Sequence, residues 1–393
     1  MTSLLREREQ QDSGKVAMVE LFFDLVFVFA ITQLSHALLA DLSLVGAAKT
    51  ALLTTAVWWG WIYTSWVTNW LDPERLPVRA MMFALMLLCL IVSAAIPRAF
   101  ADRGAAFAIS FVLLQLGRTL FMLWAIRGET RPLIRNFQRI LVWLTLSGVF
   151  WIAGAFSEGG ARIAWWCVAL AMEVISPIVY MWVPGLGRST TTDWNIDADH
   201  IAERCALFVI LTLGESILVI GATFAGLSWN AVTSAGFAVA VLSSIALWWI
   251  YFDTGAARAH HRMLKSNDPG SHARAAYTYL HLPIIAGIIV CAVADELVLA
   301  HPDHLTNGGI AVILGGPALY LLGITGFKWL MNRRLLPPKS HMVGLALLAL
   351  LVPVALAHLV SALALSALTT ATLVLVALWE SIALRHKATT RAS

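Results

Sequence analysis

Two carboxylates interrupt the first long apolar stretch of the chain, VELFFDLVFVFAITQLSHALL, residues 19–39. Glu20 and Asp24 are four residues apart, so a helix would place them on one face. An ionisable side chain at membrane depth costs several kcal/mol unless it is paired, neutral or in contact with water, which makes it a candidate functional group. Carboxylates in that position can bind and release protons or cations, the chemistry of coupled transporters and ion channels.

Later apolar stretches carry ionisable residues of the same kind. The stretch ERCALFVILTLGESILVIG begins at Glu203 and contains Glu215, and two further acids interrupt the stretches around AMEVISP and LWESIAL. A buried carboxyl group without a basic neighbour stays neutral until a proton path or a cation reaches it, which suits proton or cation movement. The predicted transport or ion-coupling residues are Asp24, Glu215, Glu173 and Glu380.

The elements that must position these residues are predicted to be transmembrane helices. Of the 393 residues, 59% are hydrophobic and only 13% are charged, whereas a soluble domain carries about a quarter charged residues. A membrane span needs about 20 mostly apolar residues. The sequence predicts twelve spans, near residues 18–39, 46–66, 78–96, 105–126, 140–156, 161–183, 201–225, 229–252, 276–299, 308–326, 341–359 and 361–384.

The basic residues orient these predicted helices. If the N-terminus is cytoplasmic, 21 of the 27 Lys and Arg residues fall in inner segments and only four in outer loops. Inner loops of membrane proteins are enriched in Lys and Arg. We therefore predict an all-α, polytopic membrane protein with both termini in the cytoplasm.

The two halves of the chain share short stretches in the same order. VELFF matches AERCA, VWWGWIYTSW matches LWWIYFDTG, LIVSA matches IIVCA, LGRTLFMLW matches LGITGFKWL, and AMEVISP matches LWESIAL, at offsets that rise from 183 to 207. Rising offsets are typical of two collinear copies separated by small insertions. We predict two parallel six-helix repeats. An N-terminal segment, 1–17, is followed by the first half, 18–199, the second half, 200–384, and a C-terminal tail, 385–393. A substrate site between the halves would follow.

Five charged residues are predicted to share one depth of the membrane, and they allow two interpretations. They are Glu20, Asp24, Arg118, Glu203 and Arg204. Salt bridges between residues of opposite sign could simply hold helices together. Alternatively, helices 1 and 7 line a pore, in which Phe27, Ile31 and Leu211 would form an apolar constriction.

Several classes of function receive no support from the sequence. It contains no Ser-His-Asp arrangement, HExxH motif or paired histidines within a span, and its four cysteines form no CxxC pair. We therefore expect no enzymatic activity, metal or cofactor.

The net charge of +4 does not indicate nucleic-acid binding, because the basic residues lie in short loops. The expected partners are the lipid bilayer and an unknown small solute or ion, and a homo-oligomer is left open.

Three stretches resemble the bacterial low temperature requirement A family: ELFFDLVFVFAITQLSHAL, ERCALFVILTLGESIL and LWWIYFD. The resemblance covers essentially the whole chain. It implies a multi-pass protein of the bacterial cytoplasmic (inner) membrane, in a family named for a growth phenotype in the cold, and it implies no substrate or catalytic residue.

The first helix also looks like a second family. FFDLVFVFAIT is similar to the Phe-Ser-Asp signature that begins each six-helix repeat of the endolysosomal potassium and proton channel family. In that family the first helices line the pore. Phe23 stands here where the signature has serine, and the seventh helix has no such triplet.

Three functions are therefore compared. The first is a secondary transporter coupled to protons or cations. The second is a cation or proton channel. The third is a membrane enzyme that acts on lipid, which would connect to growth in the cold but lacks a catalytic motif in the sequence.

Overall fold

A computed structural model of the chain describes residues 3–6, 15–190, 197–253, 274–332 and 336–392, except for the side chains of residues 274, 332 and 384–392. In these ranges the regular elements are helices, and no strand is formed beyond two isolated β-bridges. The predicted all-α class is thus confirmed.

Twelve α-helices are formed within the described ranges. They are α1 Met18–Ala40, α2 Leu44–Thr68, α3 Leu76–Ala95, α4 Gly104–Ala125, α5 Arg131–Ala155, α6 Gly159–Ile175, α7 Ala198–Ala225, α8 Ala231–Tyr251, α9 His281–Ala300, α10 Asn307–Asn332, α11 Lys339–Leu356 and α12 Ala362–Ala392. A short 3-10 helix, Ile96–Arg98, follows α3, and a π-helix, Arg274–Tyr279, precedes α9.

Ten helices in the described ranges are long and apolar enough to cross a membrane, as expected of a polytopic membrane protein. The other two, α2 and α6, were also predicted to be spans. In α2 the Thr, Ser and Trp residues lower the hydropathy, and most of the helix is buried in the protein. The α6 helix is only 17 residues long.

Some helix ends differ from the predicted spans for local reasons. The α5 helix begins at Arg131, with Pro132 in its first turn, rather than at 140, because proline is well tolerated there. The α6 helix ends at Ile175 rather than 183, just before Pro177, which cannot continue the hydrogen-bond ladder. The α10 helix extends beyond 326 and includes Lys328, and α12 continues through most of the predicted tail. The basic residues Arg258, Arg262 and Lys265 lie outside the described residues.

The helices form two compact units. The first comprises Met1–Ala37 and Val45–Arg204, and the second comprises Leu38–Leu44 and Cys205–Ser393. The first unit contains most of α1, nearly all of α2, all of α3–α6 and the first two turns of α7. Its core is aromatic: Trp58, Trp59 and Trp61 of α2 are fully buried, and Phe111 packs edge to face on Trp151.

The second unit is organised around a close contact between α9 and α10. A β-carbon added at Gly287 would lie 2.5 Å from the backbone nitrogen of Tyr320, and one at Gly316 would lie 2.8 Å from the backbone nitrogen of Cys291. The two backbones therefore meet where the side chain is only a hydrogen atom. Small residues permit such close approach between transmembrane helices.

Gly287→Ala is expected to lower the free energy of unfolding by about 1–3 kcal/mol, because the new methyl group would overlap backbone atoms that cannot rotate away. Thermal unfolding of the purified protein in detergent measures the effect. The matched control is Gly315→Ala on α10, since no atom lies within 4 Å of a β-carbon at Gly315. Equal melting temperatures for the two variants would contradict the close packing.

Candidate functional site

Two helices each contribute a pair of polar side chains to one buried cluster. Glu20 and Asp24 are the third and seventh residues of α1, and His200 and Arg204 are the third and seventh residues of α7. Residues four apart lie on one helix face, so each pair presents both side chains to the same neighbour. All four are at most 1% exposed. We call these four residues the α1–α7 cluster.

Arg204 is the central cation of the α1–α7 cluster. Its Nη2 and Nε atoms lie 2.6 and 3.2 Å from the two carboxylate oxygens of Asp24, and its Nη1 lies 2.9 Å from Oε1 of Glu20. Nη1 also donates to Oγ1 of Thr68 at 3.1 Å. The planar guanidinium thus forms a two-pronged bond to one carboxylate and a single bond to the other, a geometry that a lysine cannot reproduce.

The second helix supplies neutral polar groups to the same region. Trp61 Nε1 donates to Oδ1 of Asp24 at 2.7 Å, and Thr68 accepts from Arg204. Between them on α2, Oγ1 of Thr64 accepts from Arg118 at 3.0 Å. Positions 61, 64 and 68 follow the helical period. One buried face of α2 therefore contacts both arginines.

Glu20 has three neighbours that can carry positive charge. Besides Arg204, Nη2 of Arg6 lies 2.7 Å from Oε2, and Nε2 of His200 lies 3.0 Å from Oε1. The other ring nitrogen of His200 lies 3.2 Å from Nδ2 of Asn69. The Asn69 amide is oriented by bonds to the backbone of Asp197, so Nδ2 is a donor and Nδ1 of the imidazole accepts. A neutral His200 with its proton on Nε2 then donates to Glu20.

Arg6 reaches the cluster from the N-terminal segment. The backbone nitrogen of Arg6 donates to Trp70 O at 3.0 Å, and Leu5 forms a β-bridge with Leu71. Nε of Arg6 donates to the carbonyl oxygens of Thr68 and Leu71. The Arg6 side chain is 22% exposed. Among the described charged groups that contact the cluster, it is therefore the most accessible to solvent.

A second buried carboxylate in the first unit accepts hydrogen bonds from three neutral donors. Glu173 of α6 accepts hydrogen bonds from Ser147 Oγ and Trp151 Nε1, both at 2.8 Å, and from Gln115 Nε2 at 2.9 Å. Glu173 is 1% exposed. Three helices, α4, α5 and α6, are thus joined by one side chain.

Gln115 links Glu173 to Arg118. Its Oε1 accepts from Nη2 of Arg118 at 2.5 Å, while its Nε2 donates to Glu173. Arg118 also donates to the carbonyl oxygen of Gly60 at 3.1 Å and lies over the ring of Tyr63. The Gln115 amide thus bridges Arg118 and Glu173. These two partners determine its orientation, since the oxygen must face the guanidinium and the nitrogen must face the carboxylate.

The second unit contains its own buried ion pair. Oε2 of Glu380 lies 2.7 Å from Lys328 Nζ and 3.0 Å from His341 Nε2. Lys328 also donates to the carbonyl oxygen of Ile250, and Nδ1 of His341 lies 2.9 Å from Oγ1 of Thr325. Glu380 thus joins α10, α11 and α12.

A small apolar cavity lies among α1–α4 of the first unit, one helical turn along α1 from Asp24. It has room for roughly one water molecule. Its lining includes Phe27, Gly60, Cys89, Ser93 and Leu114. The carbonyl oxygen of Gly60 accepts from Arg118, so the cavity borders the buried polar groups.

Comparison with known proteins decides the family. The model of the bacterial low temperature requirement A protein (LtrA) family matches residues 15–378. The chain belongs to this family. It is also 42% identical, over 381 residues, to the uncharacterized protein RA0937 of Rhizobium meliloti (strain 1021), an alignment that covers 96% of this chain and 92% of the relative. No solved structure matches.

Three of the five residues in the predicted charge network of this LtrA family member are in contact, and two are not. Glu20, Asp24 and Arg204 are in direct contact. Arg118 donates to Gly60, Thr64 and Gln115, and among the described residues it forms no ion pair with either carboxylate. Glu203 is exposed, because it is the neighbour of Arg204 in sequence and therefore points about 100° away around the helix.

The remaining predicted residues lie at separate places in the LtrA fold. Glu173 and Glu380 belong to the two hydrogen-bonded groups described above. Glu215 is buried on α7. Of the predicted constriction residues, Phe27 and Ile31 are buried and Leu211 is half-buried.

Several contacts of the site were not predicted from the sequence. His200 carries the clearest missed signal, since HIAER repeats on α7 the i,i+4 spacing of Glu20 and Asp24. Arg6 and Lys328 were assigned to inner segments outside the spans, yet both form ion pairs with acids of the transmembrane helices. In the part of the chain that the structure describes, no group of three His, Cys, Asp or Glu side chains is arranged to bind a metal ion.

Proposed function

We propose that this LtrA family protein is a secondary transporter coupled to protons or cations, and that the α1–α7 cluster is its coupling site. The observation that carries the proposal is the sharing of Glu20 among Arg204, Arg6 and His200 at 2.7–3.0 Å. A single arginine–carboxylate pair would be enough to join two helices. Here a proton-accepting imidazole and a partly exposed second arginine contact the same carboxylate.

The charges of the cluster suggest how a proton would act. With His200 neutral, the carboxylates of Glu20 and Asp24 balance the guanidiniums of Arg204 and Arg6. A proton that adds to the imidazole, or to a carboxylate, leaves one positive charge in excess. An uncompensated buried charge is costly, so an ion pair must open or an anion must enter.

Arg6 is the group expected to separate first. It is the more exposed of the two arginines, and its Nη2 lies 3.2 Å from Nε2 of His200. A protonated imidazole would therefore repel it at hydrogen-bond distance. In the proposed orientation both termini face the cytoplasm of a bacterial inner membrane, so the separation would open the cluster on the cytoplasmic side. Proton binding and access to the site are coupled in this way.

Reconstituted protein in liposomes tests the proposal. We expect an imposed pH gradient to drive uptake of at least one member of a panel of labelled amino acids, sugars, organic cations and alkali-metal ions. In His200→Gln, which keeps polar contacts to Glu20 and Asn69 but carries no transferable proton, accumulation should be lost while exchange of solute persists. Glu203→Gln is the control, because Glu203 is exposed on the same helix. Uptake that is independent of the gradient across the whole panel would overturn the proposal.

A channel is the second candidate, and the small cavity at Phe27 favours it. Phe27 is buried one turn from Asp24 and lines the apolar space among α1–α4. A narrow apolar segment next to a charged site can act as a gate by excluding water. Unitary current steps in planar bilayers would support the channel, and slow, saturable flux would support the transporter.

A further inference from the structure

Asp295 is a buried acid that lies outside the hydrogen-bonded groups described above. Glu20, Asp24, Glu173 and Glu380 each have direct partners. Asp295 of α9 is 6% exposed, and no described residue forms a hydrogen bond or an ion pair with its carboxyl group. A buried carboxylate without any partner costs several kcal/mol at membrane depth.

The packing of the second unit fixes the level of Asp295. One turn before it, Cys291 lies against Gly316 of α10. One turn after it, Leu299 belongs to a buried apolar cluster with Ile220 of α7 and Ala240 of α8. Asp295 therefore lies inside the helix packing and not at a frayed helix end.

Helix directions place the Gly-Glu-Ser segment of α7 at the same level. Phe224 at the end of α7 stacks on Phe237 near the start of α8, with ring centroids 4.4 Å apart. Tyr251 at the end of α8 lies 2.8 Å from His281 at the start of α9. Thus α7 and α9 both run antiparallel to α8 and parallel to each other. Ile220 of α7 and Leu299 of α9 belong to the same apolar cluster, and four residues before them are Ser216 and Asp295, one helical turn away in the same direction.

The described helices that pack around Asp295 provide no cation at its level. Residues 231–251 of α8, 307–326 of α10 and 362–379 of α12 contain no Asp, Glu, His, Lys or Arg. Among the described residues, the titratable groups nearest in level are Cys291 and Glu296 of α9 and Glu215 of α7, and none of them can carry a positive charge. Lys328 is bound to Glu380, and the antiparallel register of α9 and α10 places it near the start of α9. With no cation at this level among the described residues, a bound proton or a small cation would neutralise the carboxylate.

We infer that Asp295 is a proton-binding site in the second unit, held protonated in the conformation described here. On release, the carboxyl O–H bond breaks, the proton passes to water and the carboxylate is left without a counter-charge. Release therefore requires water to reach this carboxyl group. That this proton is one of those coupled to solute movement rests on the proposed function, whereas proton binding itself does not.

Infrared spectroscopy of the purified full-length protein in lipid nanodiscs tests the inference without any solute. We expect a carbonyl stretch from a protonated carboxyl group at neutral pH. The band should shift in deuterated water, shift again when aspartate is labelled with ¹³C at the side-chain carboxyl group, and disappear in Asp295→Asn. It should persist in Glu215→Gln and Glu296→Gln. Asparagine has the shape and polarity of a protonated aspartate, so Asp295→Asn should fold.

Two results would overturn the proton site. In the first, Asp295→Asn keeps the protonated band and loses a carboxylate band instead. In the second, sodium or potassium ions shift the carboxylate bands of the wild type but not those of Asp295→Asn, which would make the ligand a metal cation. The aspartate label reports on the wild type even if the variant is poorly folded. Loss of the band in Asp295→Asn together with no gradient-driven uptake would leave the proton site standing and remove the proposed transport.

Discussion

Replacing Arg204 by glutamine (Arg204→Gln) is expected to lower the free energy of unfolding by about 3–5 kcal/mol, the usual cost of removing one partner from a buried ion pair. Arg204 makes three of its four side-chain bonds to Glu20 and Asp24. Without it, Asp24 keeps only the Trp61 donor among the contacts described above, and Glu20 keeps Arg6 and His200. Thermal unfolding in detergent, together with the yield of folded protein, measures the loss.

Arg98→Gln is the matched control for this substitution. Arg98 forms an ion pair with Asp102 in which both side chains are more than half exposed, and such pairs contribute about 0–1 kcal/mol. A double variant, Arg204→Gln with Asp24→Asn, should recover part of the stability, because it removes the carboxylate that the single substitution leaves without a counter-charge. If Arg204→Gln melts at the wild-type temperature, the cluster is not the buried, charge-paired site described here.

The sequence predicts the elements well and the partners less well, for a geometric reason. Hydropathy and topology give each charged residue a depth, and residues at one depth were predicted to form one network. Depth does not specify the direction around the helix axis. Arg118 and Glu203 were predicted to lie at this depth, but the Arg118 side chain is directed toward Gln115 and Glu203 is exposed. Asp24 and Glu20 were placed together correctly because i,i+4 spacing does specify direction.

Non-local contacts account for the other missed residues. Arg6 meets Glu20 because the N-terminal segment pairs with residues 70–72, and no local pattern encodes that pairing. Trp61 belongs to a Trp-rich stretch in which composition does not distinguish a ring that donates to a buried carboxylate from one that faces lipid. The close contact of α9 and α10 at Gly287 likewise depends on which face of each helix meets the other.

The second large effect is expected at Glu173, where two substitutions separate packing from charge. Glu173→Ala removes the acceptor of Gln115, Ser147 and Trp151 at once. A buried donor left without an acceptor costs about 1–3 kcal/mol, so the loss should be at least about 3 kcal/mol. Glu173→Gln keeps a carbonyl oxygen for Ser147 and Trp151 and places an amide against the Gln115 amide. The free energy of unfolding of Glu173→Gln should therefore fall by the cost of about one unsatisfied donor.

The order of these two variants also tests what Glu173 contributes to transport. Thermal unfolding should rank Glu173→Ala well below Glu173→Gln, with the exposed substitution Glu203→Gln at the wild-type value. Equal losses for the alanine and glutamine variants would mean that the three donors do not depend on this acceptor. Because Glu173→Gln is expected to stay folded, a transport defect in that variant would come from the lost ionisable group. That outcome would extend proton coupling from the α1–α7 cluster to the Arg118–Gln115–Glu173 chain.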